Sequence, residues 1–204
     1  MPIEAHVKKL KTIYRAMDRE YAKAASFYSF GCQGCPDNCC STYFFHYTIA
    51  EYLYLLQGFW ALDREKKEEI MEQTTNMCDP MPRDSYLCPL NLRGLCVLYS
   101  HRTMICRLHG LPFEVQRPEG QKDEGTGCAK FEKERALSGL PYRRISRTPF
   151  YTGLANLERE IRAGIGYFQG FKKTIAEMIR DGGKKENLRG IMDSLTQSIN
   201  LPSL

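Results

Sequence analysis

The chain lacks the long apolar runs that cross membranes. Its most apolar stretch, residues 49–62, is interrupted by Glu51 and Gln57 and is shorter than the ~20 residues that span a bilayer. Its first residues show no charged leader followed by an apolar segment, so we expect no secretory signal. We therefore predict a cytoplasmic protein without membrane contact, in a compartment that keeps cysteine thiols reduced.

The sequence also lacks the short motifs of common nucleotide-binding and hydrolytic enzymes. It contains no phosphate-binding loop, no dinucleotide fingerprint after a strand, no H-E-x-x-H and no G-x-S-x-G. Its nearest glycine-rich piece, residues 163–166, falls inside a predicted helix. No motif therefore assigns an enzymatic activity, and sequence alone leaves open whether the protein is an enzyme.

Size and composition are ordinary for a globular protein. The chain has 204 residues, of which 43% are hydrophobic and 26% charged. We predict a single domain over residues 1–204, with an N-terminal helix (1–30), a cysteine-cluster metal-binding region (31–130) and a helical C-terminal region (131–204). The expected fold class is mostly α, with irregular cysteine-rich loops organised around a metal centre and packed on the helices.

Helical periodicity and capping signals locate the first helices. Apolar residues alternate at gaps of four and three from Ile3 to Tyr28, which predicts a long helix ended by Gly31. A capping box from Thr48 to Glu51 predicts a second helix to about residue 60, and Asp63 predicts a third to about residue 76.

The later elements are predicted from the same signals. Ser100 is the expected cap of a short helix that carries Cys106 and stops at Gly110, and residues 110–130 are expected to form an irregular loop. Thr148 and Pro149 predict the start of a helical stretch that continues to the glycine pair at 182–183. A short amphipathic helix over residues 188–195 is expected to end the chain.

Cysteine is abundant, with nine residues in two groups and one apart. A C-x2-C pair on a tight turn directs two sulfurs at one ion, and clustered cysteines beside Gly and Pro in a reducing compartment favour metal binding. We expect adjacent Cys39 and Cys40 to point to opposite sides of an extended chain, so that they serve two sites or bridge two metals. The predicted metal ligands are Cys32, Cys35, Cys39 and Cys40 from the first group, and Cys88, Cys96, Cys106 and Cys128 from the second.

Other interpretations of the thiols stay open. Buried free cysteines behave as small hydrophobes, which suits Cys78, and we expect that residue to be unliganded. Disulfides would need an oxidising compartment and would leave one of nine cysteines over. A dithiol pair that cycles with a disulfide is a third alternative, although the strand and helix of a thioredoxin-like motif are absent before Cys32.

In order along the chain, the motifs over residues 30–130 resemble those of the CxxCxxCC, or YkgJ-type, cysteine-cluster family. The matching pieces are C-x2-C-x3-C-C from Cys32, C-P-L from Cys88, G-L-C-V-L-Y from Gly94 and R-x3-C-R from Arg102. That family is described as chelating zinc or iron. Three residues before the Cys-Cys pair, where the family has two, are closer to the flagellin lysine N-methylases, whose similar block carries an iron–sulfur cluster.

The identity of the metal is the less certain part of the sequence prediction. Closed zinc sites often use two C-x2-C knuckles, and only one is present here. Iron–sulfur clusters accept dispersed cysteines and occur beside Cys-Pro steps such as those at residues 35 and 88. An iron–sulfur cluster is our first choice of cofactor, and zinc is the alternative.

Four residues near the cysteines are secondary candidates. His46 or His109 could replace a thiol, although a hydrogen-bonded, partly buried His46 is the more usual case. Arg102 and Arg107 flank Cys106 and could donate to sulfurs or neutralise thiolate charge, or form surface ion pairs.

The distribution of charge along the chain indicates which partners the protein could bind. The formal net charge is +5, and residues 141–190 hold eleven Lys or Arg against five Asp or Glu. This surplus is typical of a solvated helical face, with a protein partner on the basic C-terminal helices as the alternative; nucleic acid is not favoured.

Three functions therefore remain in view. The first is a metal-binding cysteine-cluster protein with an iron–sulfur cluster and a redox, accessory or catalytic role. The second is a zinc-binding structural or interaction module. The third, implied by the resemblance, is an iron–sulfur-dependent enzyme similar to protein lysine N-methyltransferases.

Overall fold

The computed structural model describes residues 3–31, 39–77 and 86–183. Within these ranges the chain is mostly helical. The α-helices are α1 (Ile3–Tyr28), α2 (Ile49–Trp60), α3 (Arg64–Asn76), α4 (Met104–Arg107), α5 (Ala129–Ser138), α6 (Thr148–Ile165) and α7 (Ile175–Gly182). The strands are β1 (Asn91–Leu92), β2 (Leu95–Cys96), β3 (Phe113–Gln116), β4 (Lys122–Gly125) and β5 (Ile145–Ser146).

The first helix confirms the predicted apolar stripe but ends earlier than expected. The expected stop was Gly31, whereas α1 ends at Tyr28 because Ser29 adopts a left-handed conformation with φ 53°. The amide of Ser29 then donates to Ser26 O, and that of Phe30 donates to Ala25 O. These two hydrogen bonds form a Schellman motif, which satisfies the last carbonyls of the helix.

The next two helices begin at the predicted caps. The Thr48 side chain accepts from the amide of Glu51 at the start of α2, and Asp63 accepts from the amide of Lys66 at the start of α3. Both helices also end at the predicted residues, 60 and 76. Local side-chain chemistry fixes the starts, because each cap satisfies an amide that the helix leaves unpaired.

The helices pack around one apolar core. Helix α1 contacts α2, α4 and α6, while α7 packs against α2 and α3. This packing buries the apolar stripe of each helix, so the helices depend on one another for stability. The buried residues include Leu10, Met17, Leu55, Leu56, Phe59, Leu154, Leu157, Ile161, Met178 and Ile179.

The expectation of an irregular loop over residues 110–130 was wrong. Strands β3 and β4 form an antiparallel hairpin, and β5 pairs in parallel with the other side of β3. Strand β3 alternates apolar and polar residues over only four positions, and β4 is mainly charged, so neither gives a clear strand signal in the sequence. Lys122 on β4 pairs across the hairpin with Glu114 on β3 and along its own strand with Glu124, at 2.9 Å each.

Two shorter predictions need correction around Cys106. Residues 91–96 form a hairpin of β1 and β2, for which no strand was predicted. The short helix begins after Thr103, whereas we expected Ser100 to cap it, because residues 99–101 form a separate 3-10 turn. The helix that carries Cys106 is therefore only four residues long.

The C-terminal stretch is divided into two helices. Helix α6 has Arg147 at the N-cap position rather than Thr148, whose hydroxyl instead accepts from the amide of Gln116 on β3. The helix ends at Gly166, which has φ 65°, and the expected continuation through Phe168 is absent; that side chain is 79% exposed. Lys173 then pairs with the backbone of His46 before α7 begins. The expected helix over 188–195 lies outside the described residues.

Part of the basic surplus of this region is neutralised locally. Arg162 pairs with Glu158, and Lys173 with Asp181. A protein partner on the C-terminal helices therefore stays a prediction. Among residues 3–31, 39–77 and 86–183, no helix is long and apolar enough to cross a membrane.

Candidate metal centre

Four of the predicted ligands come together from three segments of the chain. Cys39 and Cys40 lie in a 3-10 turn, Cys88 precedes β1, and Cys106 is on α4. The amide of Cys88 donates to Cys40 O at 2.7 Å, which ties the first two segments together. We call Cys39, Cys40, Cys88 and Cys106 the thiol cluster.

The thiols of the cluster are hydrogen-bonded to one another. Sulfur hydrogen bonds join Cys39 to both Cys40 and Cys106, and Cys40 to Cys88. The expectation that Cys39 and Cys40 point to opposite sides was wrong, because it assumed an extended chain and they occupy a 3-10 turn. Both residues therefore belong to one cluster.

This arrangement separates the acidities of the thiols. Cys39 and Cys88 donate to Cys40, and accepting these hydrogen bonds lowers the pKa of Cys40 to about 3. Donation to Cys106 and Cys40, together with burial, raises the pKa of Cys39, and donation to Cys40 with burial raises that of Cys88. The hydrogen bond from Cys39 also lowers the pKa of Cys106. The hydrogen bonds therefore favour the thiolate form at Cys40 and Cys106 over that at Cys39 and Cys88.

Two further cysteines of the predicted set are described. Burial raises the pKa of Cys96 to about 12, and the charges of Cys40 and Cys106 contribute in the same direction, so this thiol lies within the field of the cluster. Cys128 has a different setting: it is the N-cap of α5, where its sulfur accepts from the amide of Phe131 at 3.5 Å. Cys32, Cys35 and Cys78 lie outside the described residues.

His46 lies beside the thiol cluster. It is 4% exposed, lines a small void together with Cys39, Cys88 and Cys106, and its Nε2 atom has no hydrogen-bond partner among the residues described. Burial lowers the pKa of this imidazole to about 4, so the ring is neutral near pH 7. A neutral imidazole nitrogen is a metal ligand or an acceptor for a thiol proton.

The two arginines that flank Cys106 have different roles. Arg107 is buried and binds both carboxylate oxygens of Asp18, at 3.1 and 2.8 Å, so it fixes α4 to α1 rather than contacting sulfur. Arg102 stacks on the ring of Tyr99 at 3.5 Å, and its charge contributes to lowering the pKa values of Cys40 and Cys106. Arg102 therefore stabilises thiolate charge, as one of the sequence alternatives predicted.

A buried carboxylate links the helical scaffold to α4. Glu51 on α2 accepts hydrogen bonds from Tyr14 Oη at 3.0 Å, Thr48 Oγ1 at 2.8 Å and the amide of Met104 at 2.7 Å. The Glu51 side chain thus accepts hydrogen bonds from α1, from α4 and from the cap residue of its own helix. The position of Cys106 is fixed to the core through this residue.

A cavity of about 590 Å³ opens beside the thiol cluster. The sequence analysis did not predict it, because no spacing along the chain shows which elements face α1. The pattern of charged and aromatic residues along one face of α1 was the available signal. The described lining residues are Lys11, Tyr14, Arg15, Asp18, Tyr21, Cys39, Tyr54, Tyr99, Ser100, Arg102, Cys106, Arg107 and His109.

His109 lies at this cavity and contacts the Phe44 ring, with 6.0 Å between ring centres. Over the described ranges, no group of three or more His, Cys, Asp or Glu side chains is arranged to hold a metal ion. The metal assignment is therefore a proposal, which rests on the chemistry of the donors.

The chain was also compared with protein-family models, with curated proteins and with solved structures, and nothing matches it in any of the three comparisons.

Proposed function

We propose that the protein binds metal through its cysteines, with an iron–sulfur cluster as the first choice and a redox, accessory or catalytic role. The observation that carries the proposal is the meeting of Cys39, Cys40, Cys88 and Cys106 from three segments. Thiols with no metal-related role do not need this convergence, because each could be buried separately as a small hydrophobe.

The donor chemistry fits a thiophilic metal. The pKa values of Cys40 and Cys106 are lowered, which favours the thiolate form that binds metal. The Nε2 atom of His46, which has no hydrogen-bond partner among the described residues, adds a donor of a second kind beside them. The residues that would hold the group are the thiol cluster and Cys96, with Cys32, Cys35 and Cys128 as the remaining predicted ligands. Metal binding and ligand deprotonation are coupled, so a bound metal would displace the protons that remain on the thiols.

An iron–sulfur cluster would supply electron transfer or an open metal position at this site. The residues of the chain have separate tasks around it. Arg102 counters the negative charge of the thiolates, and Thr103 Oγ1 donates to Cys106 Sγ at 3.5 Å. Hydrogen bonds to ligand sulfurs and nearby charge are the means by which a protein adjusts a reduction potential.

The test is to purify the full chain without oxygen and to measure iron, zinc and acid-labile sulfide per chain with an absorption spectrum. We expect about four iron and four sulfide with broad visible absorption. One or two zinc ions per chain, with no visible absorption, would identify zinc as the cofactor and favour a structural or interaction module. A folded, monodisperse protein free of metal would contradict the proposal.

Two variants sharpen this test. Cys40→Ser removes the sulfur that accepts from both Cys39 and Cys88, so we expect most of the bound metal to be lost. Cys128→Ser keeps a side chain that caps α5, and unchanged metal content would assign Cys128 to the helix cap alone. Loss of metal in Cys128→Ser would add it to the ligand set. Equal metal content in Cys40→Ser and the natural protein would contradict the assignment of the thiol cluster.

A further inference from the structure

The 590 Å³ cavity has a volume, a charge and an aromatic lining that metal binding by the cysteines does not explain. Its volume falls within the range of small-molecule pockets, roughly 300–1,000 Å³. Its described lining comes from a face of α1, from Tyr54 and residues 99–102, and from Cys39 and Cys106 of the thiol cluster. A molecule bound there would contact the thiol cluster.

The charges of the described residues that line the cavity do not balance. Among them are four basic side chains, of Lys11, Arg15, Arg102 and Arg107, and one carboxylate, that of Asp18. Asp18 is bound by Arg107, which is nine-tenths buried and also donates to the carbonyls of Ser100 and Arg102. This pair is a fixed, neutral part of the wall.

The other three cations have no such partner. Among the residues that the structure describes, no carboxylate forms an ion pair with Lys11, Arg15 or Arg102. Arg102 is held by Tyr99 O at 3.0 Å and lies near the thiolates. Lys11 and Arg15 are one helical turn apart on α1 and both line the cavity, where Lys11 Nζ lies 5.8 Å from the centre of the Tyr54 ring. Because no described carboxylate neutralises them, their charge is available to a ligand.

The remaining wall is aromatic. The Tyr14 hydroxyl donates to Glu51 at 3.0 Å and that of Tyr54 donates to Ser100 O at 3.1 Å, so both hydroxyls are used within the protein. Tyr14 and Tyr54 are buried, at 2% and 7% exposure, and their rings contact Arg107 and His101, so they close the wall. Tyr99 is 60% exposed, and Arg102 covers one face of its ring, so the other face can contact a ligand. Aromatic rings favour a flat apolar group packed edge-on or stacked against them.

We infer that this cavity binds a small aromatic or similarly flat anion, a carboxylate or a phosphate ester, with its charged group on Lys11 and Arg15 and its ring against Tyr99. Such a ligand lies beside Cys39 and Cys106, which makes it a substrate or effector class for the proposed centre. The binding itself rests on the cavity alone and needs no metal, so its failure is distinguishable from failure of the proposed function.

The test uses the full chain as purified without oxygen and three probes of similar size: phenyl phosphate, phenol and benzylamine. Binding is measured by calorimetry or ligand-observed NMR at about 50 mM salt, which leaves charge interactions only partly screened. We expect phenyl phosphate to bind at least tenfold more tightly than phenol, and benzylamine to bind least. Equal binding of phenyl phosphate and phenol, or preference for benzylamine, would overturn the inference without the use of any variant.

Variants test which residues of the cavity bind the ligand. In the double variant Lys11→Gln, Arg15→Gln, we expect affinity for phenyl phosphate to fall at least tenfold, the scale of a lost hydrogen bond to a charged group. Arg19→Gln is the matched control, since Arg19 is an exposed cation of the same helix that does not line the cavity. Tyr99→Ala should weaken phenyl phosphate and phenol alike. Equal affinity in the double variant and the Arg19 control would overturn the placement, while unchanged metal content in all variants separates this result from damage to the thiol cluster.

Discussion

The scaffold of α1, α2 and α6 and the cysteine-bearing segment 86–110 pack against each other but are stabilised differently. The scaffold helices are 26, 12 and 18 residues long and bury continuous apolar stripes. The cysteine-bearing segment consists of two-residue strands, a 3-10 turn and a four-residue helix. Elements this short have too few internal hydrogen bonds to be stable alone.

The comparison teaches where each region obtains its stability. The cysteine-bearing segment contributes buried residues such as Leu98 and Leu108 to the common core, so apolar packing anchors it. The loops between these anchors depend on polar contacts, of which the thiol cluster is the densest. A ligand that joins the thiols would therefore stabilise this segment more than the scaffold.

Metal removal should produce the largest effect. If the thiol cluster holds the metal, a chelator should destabilise residues 86–110 by several kcal/mol, because binding free energy at such sites is also folding free energy. Amide hydrogen exchange should show loss of protection at Val97 and Arg107, whose amides donate to Leu90 and Thr103, while α1 and α2 keep theirs. Equal loss of protection in both regions would contradict the claim that they are stabilised differently.

Leu55→Ala tests the scaffold in isolation. Leu55 is fully buried on α2, so we expect the variant to lower the free energy of unfolding by about 2–5 kcal/mol, measured by urea denaturation. Metal content per chain should not change. Leu95→Ala is the control because Leu95 is 71% exposed beside Cys96, and its effect should stay within about 0.5 kcal/mol. A Leu55→Ala variant that folds yet loses its metal would show that the two regions are not separable.

Glu51→Ala tests the joint between the regions, with a smaller expected effect. The variant leaves the Tyr14 hydroxyl and the amide of Met104 without their buried acceptor, which should cost about 1–3 kcal/mol of unfolding free energy. Because Met104 begins the helix that carries Cys106, metal affinity should fall as well. Glu65→Ala, on the first turn of α3, is the control. If both variants had the same stability and metal affinity, Glu51 would not join the regions.

Sequence predicted best what local chemistry determines. The starts of α2 and α3 follow from Thr48 and Asp63, whose side chains cap amides three residues ahead. The stripe of α1 follows from apolar spacing, and burial of Leu10 and Met17 confirms it. These signals involve residues within one or two helical turns, so no tertiary information is needed.

The features that sequence did not predict all depend on residues that are far apart along the chain. Strand β4 contains Lys122, Asp123 and Glu124, which have low strand propensity and become a strand only by pairing with β3. The grouping of Cys39, Cys88 and Cys106 is equally three-dimensional: the spacing predicted that cysteines would cluster, but it did not identify which ones meet. The cavity required knowledge of which elements face α1, and no spacing along the chain supplies that.

X-ray absorption at the edge of the bound metal, on the full chain purified without oxygen, tests the central claim most directly. A site made by the thiol cluster predicts a first shell dominated by sulfur at about 2.3 Å, and Cys40→Ser should reduce that shell or abolish the signal. A first shell of oxygen and nitrogen alone, or a sulfur shell that Cys40→Ser leaves unchanged, would contradict the account.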